Sequence, residues 1–311
     1  MRDLFQKFQH YLMTEKCAAH NTIEAYRRDI EQFLQFLEKE YPQVVATDIS
    51  NQHVKEFLKH MRHTLDVGPK SSSRKLSALK TFANYLSKYH DMIPFTQGVQ
   101  FPQLPHHLPK HLTQEQVKAL LVAADEEKTV VGQRNKVMLC LLYACGFRVS
   151  ELVSLKTSNI NFEDSCLQVS GKGGKDRIVP LPDEIIVLLK AYLEQIHSRL
   201  LGAELQNKKP NSVRRDSDYL FPVLYAGKMG HISRQAFWKI IKEIAKKSGL
   251  INSISPHTLR HSLATHMLKR GANLRVLQTL LGHEKINTVQ IYTHLEIAHL
   301  RELYDKYHSR A

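Results

Sequence analysis

Apolar residues recur every three or four positions along the first part of the chain, which is the spacing of amphipathic helices. One segment follows Asn21 and reads TIEAYRRDIEQFLQFLEKEY, with Ile30 and Leu34 on its apolar face. A second helix is expected to open at Thr47-Asp48, and a third reads SSSRKLSALKTFANYL. The pattern predicts a helical bundle over residues 1–91.

The next segment, residues 92–111, holds four of the eleven prolines and has little periodicity, which is typical of a linker. Helical spacing resumes after Thr113, and an apolar helix ends at Gly146, a residue suited to a helix C-terminus. Residues 202–217 are polar and basic and are expected to form a surface insert among further helices. We predict a second domain over residues 112–311.

Part of this second domain alternates apolar and polar residues instead. The alternating positions in NINFEDSCLQVSGKGGKDRIVPLP are Ile160 and Phe162, Leu167 and Val169, then Ile178 and Pro180. The fold class is therefore mainly α, with an N-terminal helical bundle and a mixed α/β domain that has a small three-stranded antiparallel sheet. The single tryptophan, Trp238, lies among apolar residues at helical spacing and is predicted to be in the core.

The charge balance changes this picture by pointing to an anionic partner. The chain has 44 Lys and Arg against 30 Asp and Glu, a net charge of +14. Residues 1–110 have 15 against 11, a net +4, and the remainder has 29 against 19, a net +10. Nucleic acid is the first candidate, although a basic protein can also be basic for solubility alone.

Cysteine usage and hydropathy indicate a cytoplasmic protein with no membrane association. The four cysteines, Cys17, Cys140, Cys145 and Cys166, form no CxxC pair, which argues against a disulfide framework or a zinc ribbon. The first residues carry charges where a signal peptide needs an apolar stretch. The longest apolar run, residues 137–147, is too short to cross a bilayer.

Four segments of the second domain contain residue types suited to phosphate chemistry. They are GFRVSELVSL with Arg148 and Glu151, GKGGKDR with Lys172, SPHTLRH with His257 and Arg260, and LLGHEKINTVQIYTH with His283 and Tyr292. Each segment alone is weak evidence, because each spacing is common by chance. Their order along the chain is the informative feature.

In this order the segments resemble those of the tyrosine site-specific recombinases, the phage integrase family, and in detail the bacterial XerC/XerD type. The resemblance also includes LSALKTFANYL, LPKHLTQEQVKALL and the ending RELYDKYHSRA. It implies a SAM-like, core-binding N-terminal domain and a catalytic second domain that needs no cofactor and no metal. The implied catalytic residues are Arg148, Lys172, His257, Arg260, His283 and Tyr292, with Glu151 supporting the first arginine.

Physical chemistry is consistent with these implied roles. Two guanidiniums, Arg148 and Arg260, can donate paired hydrogen bonds to the non-bridging oxygens of a phosphodiester under attack. Ser255-Pro256 is expected to start a helix, which places His257 in the first turn as a general base. Lys172 is the expected general acid, while Lys175 in the same turn stays an alternative. By resemblance, Tyr292 is the nucleophile and forms a 3′-phosphotyrosine.

The resemblance further implies double-stranded DNA at a specific site as substrate and a tetramer on DNA, with a second Xer recombinase and the FtsK translocase as partners. Such enzymes exchange strands through a Holliday junction and resolve chromosome or plasmid dimers at cell division. The C-terminal helix, near 295–307, is expected to dock on a neighbour, although its apolar stripe could equally pack in cis. DNA-binding candidates in the first domain are Ser71, Ser72, Ser73, Arg74 and Lys75, at the start of a helix.

Some features depart from the family pattern or allow another function. Cys145, the sequence His283-Glu284-Lys285 and insert 202–217 are unusual for the family and put target preference and partner contacts in doubt. His257 and His261 have a metal-ligand spacing, but Arg260 between them would repel a cation. A non-catalytic helix-turn-helix regulator would explain the charge but not the order of the four segments, and a type IB topoisomerase uses similar groups.

Overall fold

The computed structural model describes residues 1–16, 18, 20–102, 111–170, 176–201, 217–225, 228–250, 254–281, 304 and 308. The chain divides into two compact units, Met1–His107 and Leu108–Ala311. In these described ranges, no helix has the length and the apolar character that a membrane crossing requires.

The first unit is the helical bundle that the periodicity predicted. Its helices are α1 (Arg2–Thr14), α2 (His20–Glu40), α3 (Asn51–Thr64) and α4 (Pro69–His90), with a 3-10 turn at Ala46–Asp48. Four buried phenylalanines form the centre of the core, with ring centroids 5.0 Å apart for Phe8 and Phe82 and 5.2 Å apart for Phe33 and Phe57. The helix expected to open at Thr47-Asp48 is α3, which begins four residues later, after Ser50, and Thr47-Asp48 lies in the 3-10 turn instead.

The second unit packs helices around one central helix and includes two small sheets. Its elements are α5 (Gln114–Asp125), α6 (Val130–Cys145), α7 (Val149–Val153), β1 (Ile160–Asn161), β2 (Cys166–Ser170), β3 (Asp176–Pro180), α8 (Asp183–Tyr192), β4 (Pro222–Tyr225), β5 (Lys228–His231), α9 (Arg234–Lys247), α10 (Pro256–Lys269) and α11 (Leu274–Leu281). Helix α6 is central because every residue from Val137 to Phe147 is buried. The apolar run in the sequence is therefore the middle of the core.

Strands β1 to β3 form the predicted antiparallel meander. Leu167 pairs with Val179, and Val169 pairs with Arg177. The buried face of β3 thus includes Val179 and Arg177, which are 0% and 7% exposed, whereas Ile178 is only half-buried. The prediction that Ile178 faces the core was therefore wrong by one residue. A shift of one residue exchanges the two faces of a strand.

Two other features differ from the predictions. Strands β4 and β5 form an antiparallel hairpin in a region that we expected to be helical. Trp238 is 39% exposed instead of buried, and the ammonium of Lys242 lies 3.6 Å from its ring centroid. The core face of α9 consists of Phe237, Ile241, Ile244 and Ala245. Trp238, the residue after Phe237, points about 100° away from Phe237 around the helix.

Candidate active site

The junction between α6 and α7 places Arg148 beside Glu151. Gly146 ends α6 with a φ of 60°, a left-handed conformation that glycine adopts without strain. Arg148 is the N-cap residue of α7, and Glu151 is the third residue of that helix. The Glu151 carboxylate accepts hydrogen bonds from the backbone nitrogen of Arg148 at 2.8 Å and from Arg148 Nη1 at 2.7 Å.

A third residue, Arg177 on β3, completes the coordination of this carboxylate. Arg177 Nη1 donates to Glu151 Oε1 and Nη2 donates to Glu151 Oε2, both at 2.9 Å. Its Nε donates to the carbonyl of Leu280 at 3.3 Å. We did not predict Arg177 from the sequence. The strand has two alternating pairs of apolar residues, Ile178 with Pro180 and Val179 with Leu181. Choosing the second pair as the inward-facing one would have placed Arg177 on the same inner face.

The four hydrogen bonds keep Glu151 ionised in a buried position. Burial would raise the pKa of this carboxyl, but the hydrogen bonds and charge of Arg177 and the two donors of Arg148 outweigh burial and hold the pKa at about 2. Glu151 is therefore a fixed negative charge between two guanidiniums near neutral pH.

Helix α10 brings Arg260 to the same place. The side chain of Ser255 accepts a hydrogen bond from the backbone of Thr258, and Pro256 occupies the first helical turn, as predicted. Arg260, one turn into the helix, is 8% exposed and donates to the carbonyls of Gly146 and Leu281. Burial, followed by repulsion from Arg148, lowers the pKa of Arg260 to about 10, so it stays charged near neutral pH.

The cluster of Arg148, Glu151, Arg177 and Arg260 has three positive charges and one negative charge, a formal net charge of +2. Arg177 and Arg260 are buried, while the side chain of Arg148 is 36% exposed. A partly exposed guanidinium above a buried positive excess is an arrangement that binds an anion. Arginine suits this task better than lysine because its planar fork can bind two oxygens of a phosphate.

Histidines surround the start of α10. His257 lies in the first turn with an exposed side chain, three residues before Arg260. The ring centroid of His261 is 6.3 Å from that of His111, and burial, then the charges of His111 and His257, lower the pKa of His261. His266 is buried and contacts the hydroxyl of Tyr143 at 2.9 Å, so its role is in the core. In the described residues, no three His, Cys, Asp or Glu side chains are grouped as metal ligands.

Comparison with known proteins assigns the chain to a family. The model of the phage integrase family matches residues 110–299, and the model of its N-terminal SAM-like domain matches residues 5–90. The chain is 37% identical to tyrosine recombinase XerD of Listeria innocua over 100% of both chains. It is 41% identical to tyrosine recombinase XerD of Pseudomonas aeruginosa, over 99% of this chain and 97% of the other.

The chain belongs to the phage integrase family. It is a tyrosine recombinase, an enzyme that cleaves and rejoins DNA in site-specific recombination. A solved structure of XerH site-specific recombinase bound to palindromic difH substrate, a post-cleavage complex, is 25% identical with a TM-score of 0.67, and the match covers 92% of this chain and 80% of XerH. The Tn1549 transposon integrase in complex with transposon right end DNA shares the fold, with a TM-score of 0.66 at 20% identity, over 96% of this chain and 98% of the integrase. The comparisons do not support the alternative of a non-catalytic regulator.

Three of the six catalytic residues that we expect from the family resemblance lie outside the described residues. Lys172, with its alternative Lys175, falls in segment 171–175, and His283 and Tyr292 fall in segment 282–303. The boundaries of both segments are described. Ser170 pairs with Asp176 across β2 and β3, so segment 171–175 joins these two strands. The carbonyls of Leu280 and Leu281, which accept hydrogen bonds from Arg177 and Arg260, immediately precede segment 282–303.

In the first unit of this recombinase, the basic residues at the start of α4 are divided between surface and interior. Arg74 is exposed and its guanidinium contacts Asp29, whereas Lys75 is buried with its ammonium 3.0 Å from the other oxygen of Asp29. Ser72 is also buried, and its hydroxyl lies 3.4 Å from the carbonyl of Val67. Of the five expected DNA-binding residues, the structure thus leaves Ser71 and Arg74 exposed, whereas Ser73 is half-buried and its hydroxyl oxygen is covered.

A row of basic residues on α3 lies next to this helix start, and we did not predict it. Lys55, Lys59 and Arg62 are exposed and follow helical spacing, so they share one face of α3. They line the same surface depression as Pro69 and Ser72 at the start of α4. The depression thus combines three cations with the start of a helix.

Near the C-terminus, two described residues pack on the chain itself. Tyr304 is 1% exposed and its hydroxyl donates to the carbonyl of Ala144. The ring of His308 stacks on that of Tyr304 with centroids 4.5 Å apart, and its carbonyl accepts from Arg270 at 2.6 Å. Tyr304 and His308 thus pack in cis, whereas residues 295–303 and 305–307, which hold the rest of the helix expected to dock on a neighbour or pack in cis, lie outside the described residues.

Proposed function

We propose that this tyrosine recombinase cleaves duplex DNA with Tyr292 as the nucleophile and conserves the bond energy as a 3′-phosphotyrosine. The observation that supports this most is the cluster of partly exposed Arg148 with buried Glu151, Arg177 and Arg260, whose net charge suits a phosphodiester. The cluster provides for the non-bridging oxygens the positive charge that a metal ion provides in other phosphoryl transfer enzymes. We therefore propose that the reaction needs neither a metal ion nor a nucleotide.

In the proposed step, the phenolic oxygen of Tyr292 forms a bond to phosphorus while the bond from phosphorus to the 5′-oxygen breaks. The phenolic proton passes to His257, and a proton from Lys172 passes to the leaving 5′-oxygen. Arg148 and Arg260 stabilise the added charge on the non-bridging oxygens, and His283 donates a further hydrogen bond to the phosphate. Religation runs the same step in reverse with the 5′-hydroxyl of another strand.

The proposal extends to assembly and cellular role. We infer that four protomers, two of them from a second Xer recombinase, exchange strands through a Holliday junction at paired sites, and that FtsK activates them. We also infer that the enzyme acts in the cytoplasm and resolves chromosome or plasmid dimers at cell division. The full-length similarity to tyrosine recombinases XerD and the fold shared with DNA-bound XerH support this inference.

DNA contacts in the first unit are part of the same proposal. Ser71 and Arg74 at the start of α4 are exposed, and the row Lys55, Lys59 and Arg62 lies beside them. We propose that these five residues bind the phosphate backbone, where they fix orientation but do not read sequence. The buried residues Ser72 and Lys75 are assigned to the structure of the bundle.

A trapping experiment tests the proposed nucleophile. A duplex is first selected from a random library by binding, and a nick is then placed near each candidate phosphate so that the cut strand is lost and the covalent adduct accumulates. The wild type should leave an adduct that survives SDS in the presence of EDTA and without nucleotide. Tyr292→Phe should bind the duplex normally and leave no adduct, because only the hydroxyl is lost. Cleavage by Tyr292→Phe, or loss of cleavage in EDTA that zinc or magnesium restores, would contradict the proposal.

A further inference from the structure

Arg177 connects three parts of the second unit that are distant in sequence. It lies on β3, it spans both oxygens of Glu151 on α7, and it donates to the carbonyl of Leu280 on α11. Its side chain is 8% exposed and that of Glu151 is 4% exposed, so both are covered by protein. Arg177 therefore has little surface from which to contact DNA directly.

The hydrogen bonds to Glu151 connect Arg177 to Arg148. Oε1 of Glu151 accepts from Nη1 of both Arg177 and Arg148, and Oε2 accepts from Arg177 Nη2 and the Arg148 backbone. The paired bonds from Arg177 fix the plane of the carboxylate, because both oxygens are held by one rigid guanidinium. A carboxylate fixed in this way restricts the partly exposed side chain of Arg148.

The same side chain also stabilises the end of α11. The last carbonyls of a helix have no partner within the helix, and cations there are favourable. Arg177 binds the carbonyl of Leu280, and Arg260 binds that of Leu281. The chain continues from Leu281 through Gly282 to His283, so two of the three arginines bind the backbone just before the segment that contains the proposed phosphate donor.

We propose that Arg177 is a positioning residue for DNA cleavage, acting mainly through Glu151 on Arg148. This inference rests on the proposed function. Lysine at position 177 would keep a positive charge near Glu151, but one ammonium group cannot span both carboxylate oxygens and reach Leu280 at once. Arg177→Lys is therefore the informative variant. Arg134→Lys is its matched control, because Arg134 is also a buried arginine of the second unit but donates to Asn135 outside the cluster.

The test measures single-turnover adduct formation on the selected duplex with two scissile groups, an ordinary phosphodiester and a methylphosphonate, which has no charge on its non-bridging atoms. On the diester, Arg177→Lys should be slower by about 10- to 100-fold, the range seen when a partner that orients a functional side chain is removed. DNA affinity should change little, and Arg134→Lys should resemble the wild type. On the methylphosphonate, the gap between Arg177→Lys and the wild type should narrow to a few-fold, because Arg148 has less charge to stabilise. A general loss of structure would slow both substrates equally and would contradict the proposal.

A double variant tests the route through Glu151 and remains informative if Arg177→Lys is partly destabilised. If Arg177 acts through Glu151, Glu151→Gln combined with Arg177→Lys should be no slower than the slower single variant. Effects that multiply would overturn the route, and wild-type rates for Arg177→Lys on the diester would overturn the positioning role. If the wild type forms no adduct with any selected duplex, the proposed function itself fails and this inference with it.

Discussion

Replacing Glu151 by glutamine tests the energetic role of the buried charge cluster separately from catalysis. Glutamine keeps the size of the side chain but removes the charge, and its amide group has only one oxygen for the four donors that now converge on the carboxylate. Removing one partner of a buried ion pair leaves the remaining charges without compensation. We therefore expect Glu151→Gln to destabilise the second unit strongly.

The pKa of Glu151 gives the magnitude. The ordinary value is 4.5 and the folded value is about 2, a lowering of about 2.5. At 1.36 kcal/mol for each pH unit, the folded state favours the carboxylate over the acid by about 3 kcal/mol. Because the folded pKa is the lower one, this stabilisation is fully present above pH 4.5 and is lost as the pH falls towards 2. By pH 3, roughly 2 of these 3 kcal/mol should be lost.

Urea unfolding followed by fluorescence measures this effect, because Trp238 is the single tryptophan and lies in the second unit. At pH 7, Glu151→Gln should be less stable than the wild type by about 3 kcal/mol, and at pH 3 by about 1 kcal/mol. Glu127→Gln is the control, since Glu127 is 41% exposed and pairs with Lys247 at 3.7 Å, which should contribute less than about 1 kcal/mol. A difference between Glu151→Gln and wild type that does not shrink towards pH 3 would refute the assignment to the ionised carboxylate.

Two further predictions concern the backbone near the site and the DNA contacts of the first unit. Gly146→Ala should destabilise the second unit by about 1 to 3 kcal/mol more than Gly249→Ala, because both glycines have positive φ but only at Gly146 would the new methyl group lie within 3 Å of two leucine side chains; equal unfolding midpoints would contradict this. Arg74→Ala should lower DNA affinity and reduce the salt dependence of binding by about one counterion. Lys75→Ala should instead lower the stability of the first unit, because it removes the buried partner of Asp29. Fluorescence anisotropy of labelled DNA, measured at several salt concentrations, distinguishes the two variants by their salt dependence of binding.

The sequence allowed good predictions where the signal was local. Gly146 ends α6 and Ser255-Pro256 begins α10, because a left-handed backbone and an unpaired helix amide are each satisfied by particular residue types. These two helix ends position Arg148 and Arg260. The helical bundle and the three-stranded meander were predicted for the same reason, since hydrophobic periodicity is encoded within each segment.

Predictions failed where the outcome depended on contacts between distant segments. Ile178 and Val179 are both apolar, so strand β3 alone does not show which of them faces the core, and the partner strand decides. Arg177 was missed for this reason. The burial of Trp238 and Lys75 was also mispredicted. An indole one residue away from the core face of α9 is left on the surface, and a lysine among hydroxyl residues is buried because Asp29 lies opposite.

The arginine cluster shows why the proposed catalytic roles and the structural roles overlap at this site. The buried guanidinium of Arg260 donates to the carbonyls of Gly146 and Leu281. Its position is therefore fixed by the C-terminal ends of α6 and α11. Arg177 and Arg148 share one carboxylate in the same way. A guanidinium can form such a support with some of its N–H groups and still offer others to a phosphate, which an ammonium group cannot do with fixed geometry. Substitution of any arginine in the cluster should therefore alter both the stability of the second unit and the cleavage rate, and the neutral methylphosphonate substrate separates these effects because it removes only the charge that the cluster is proposed to stabilise.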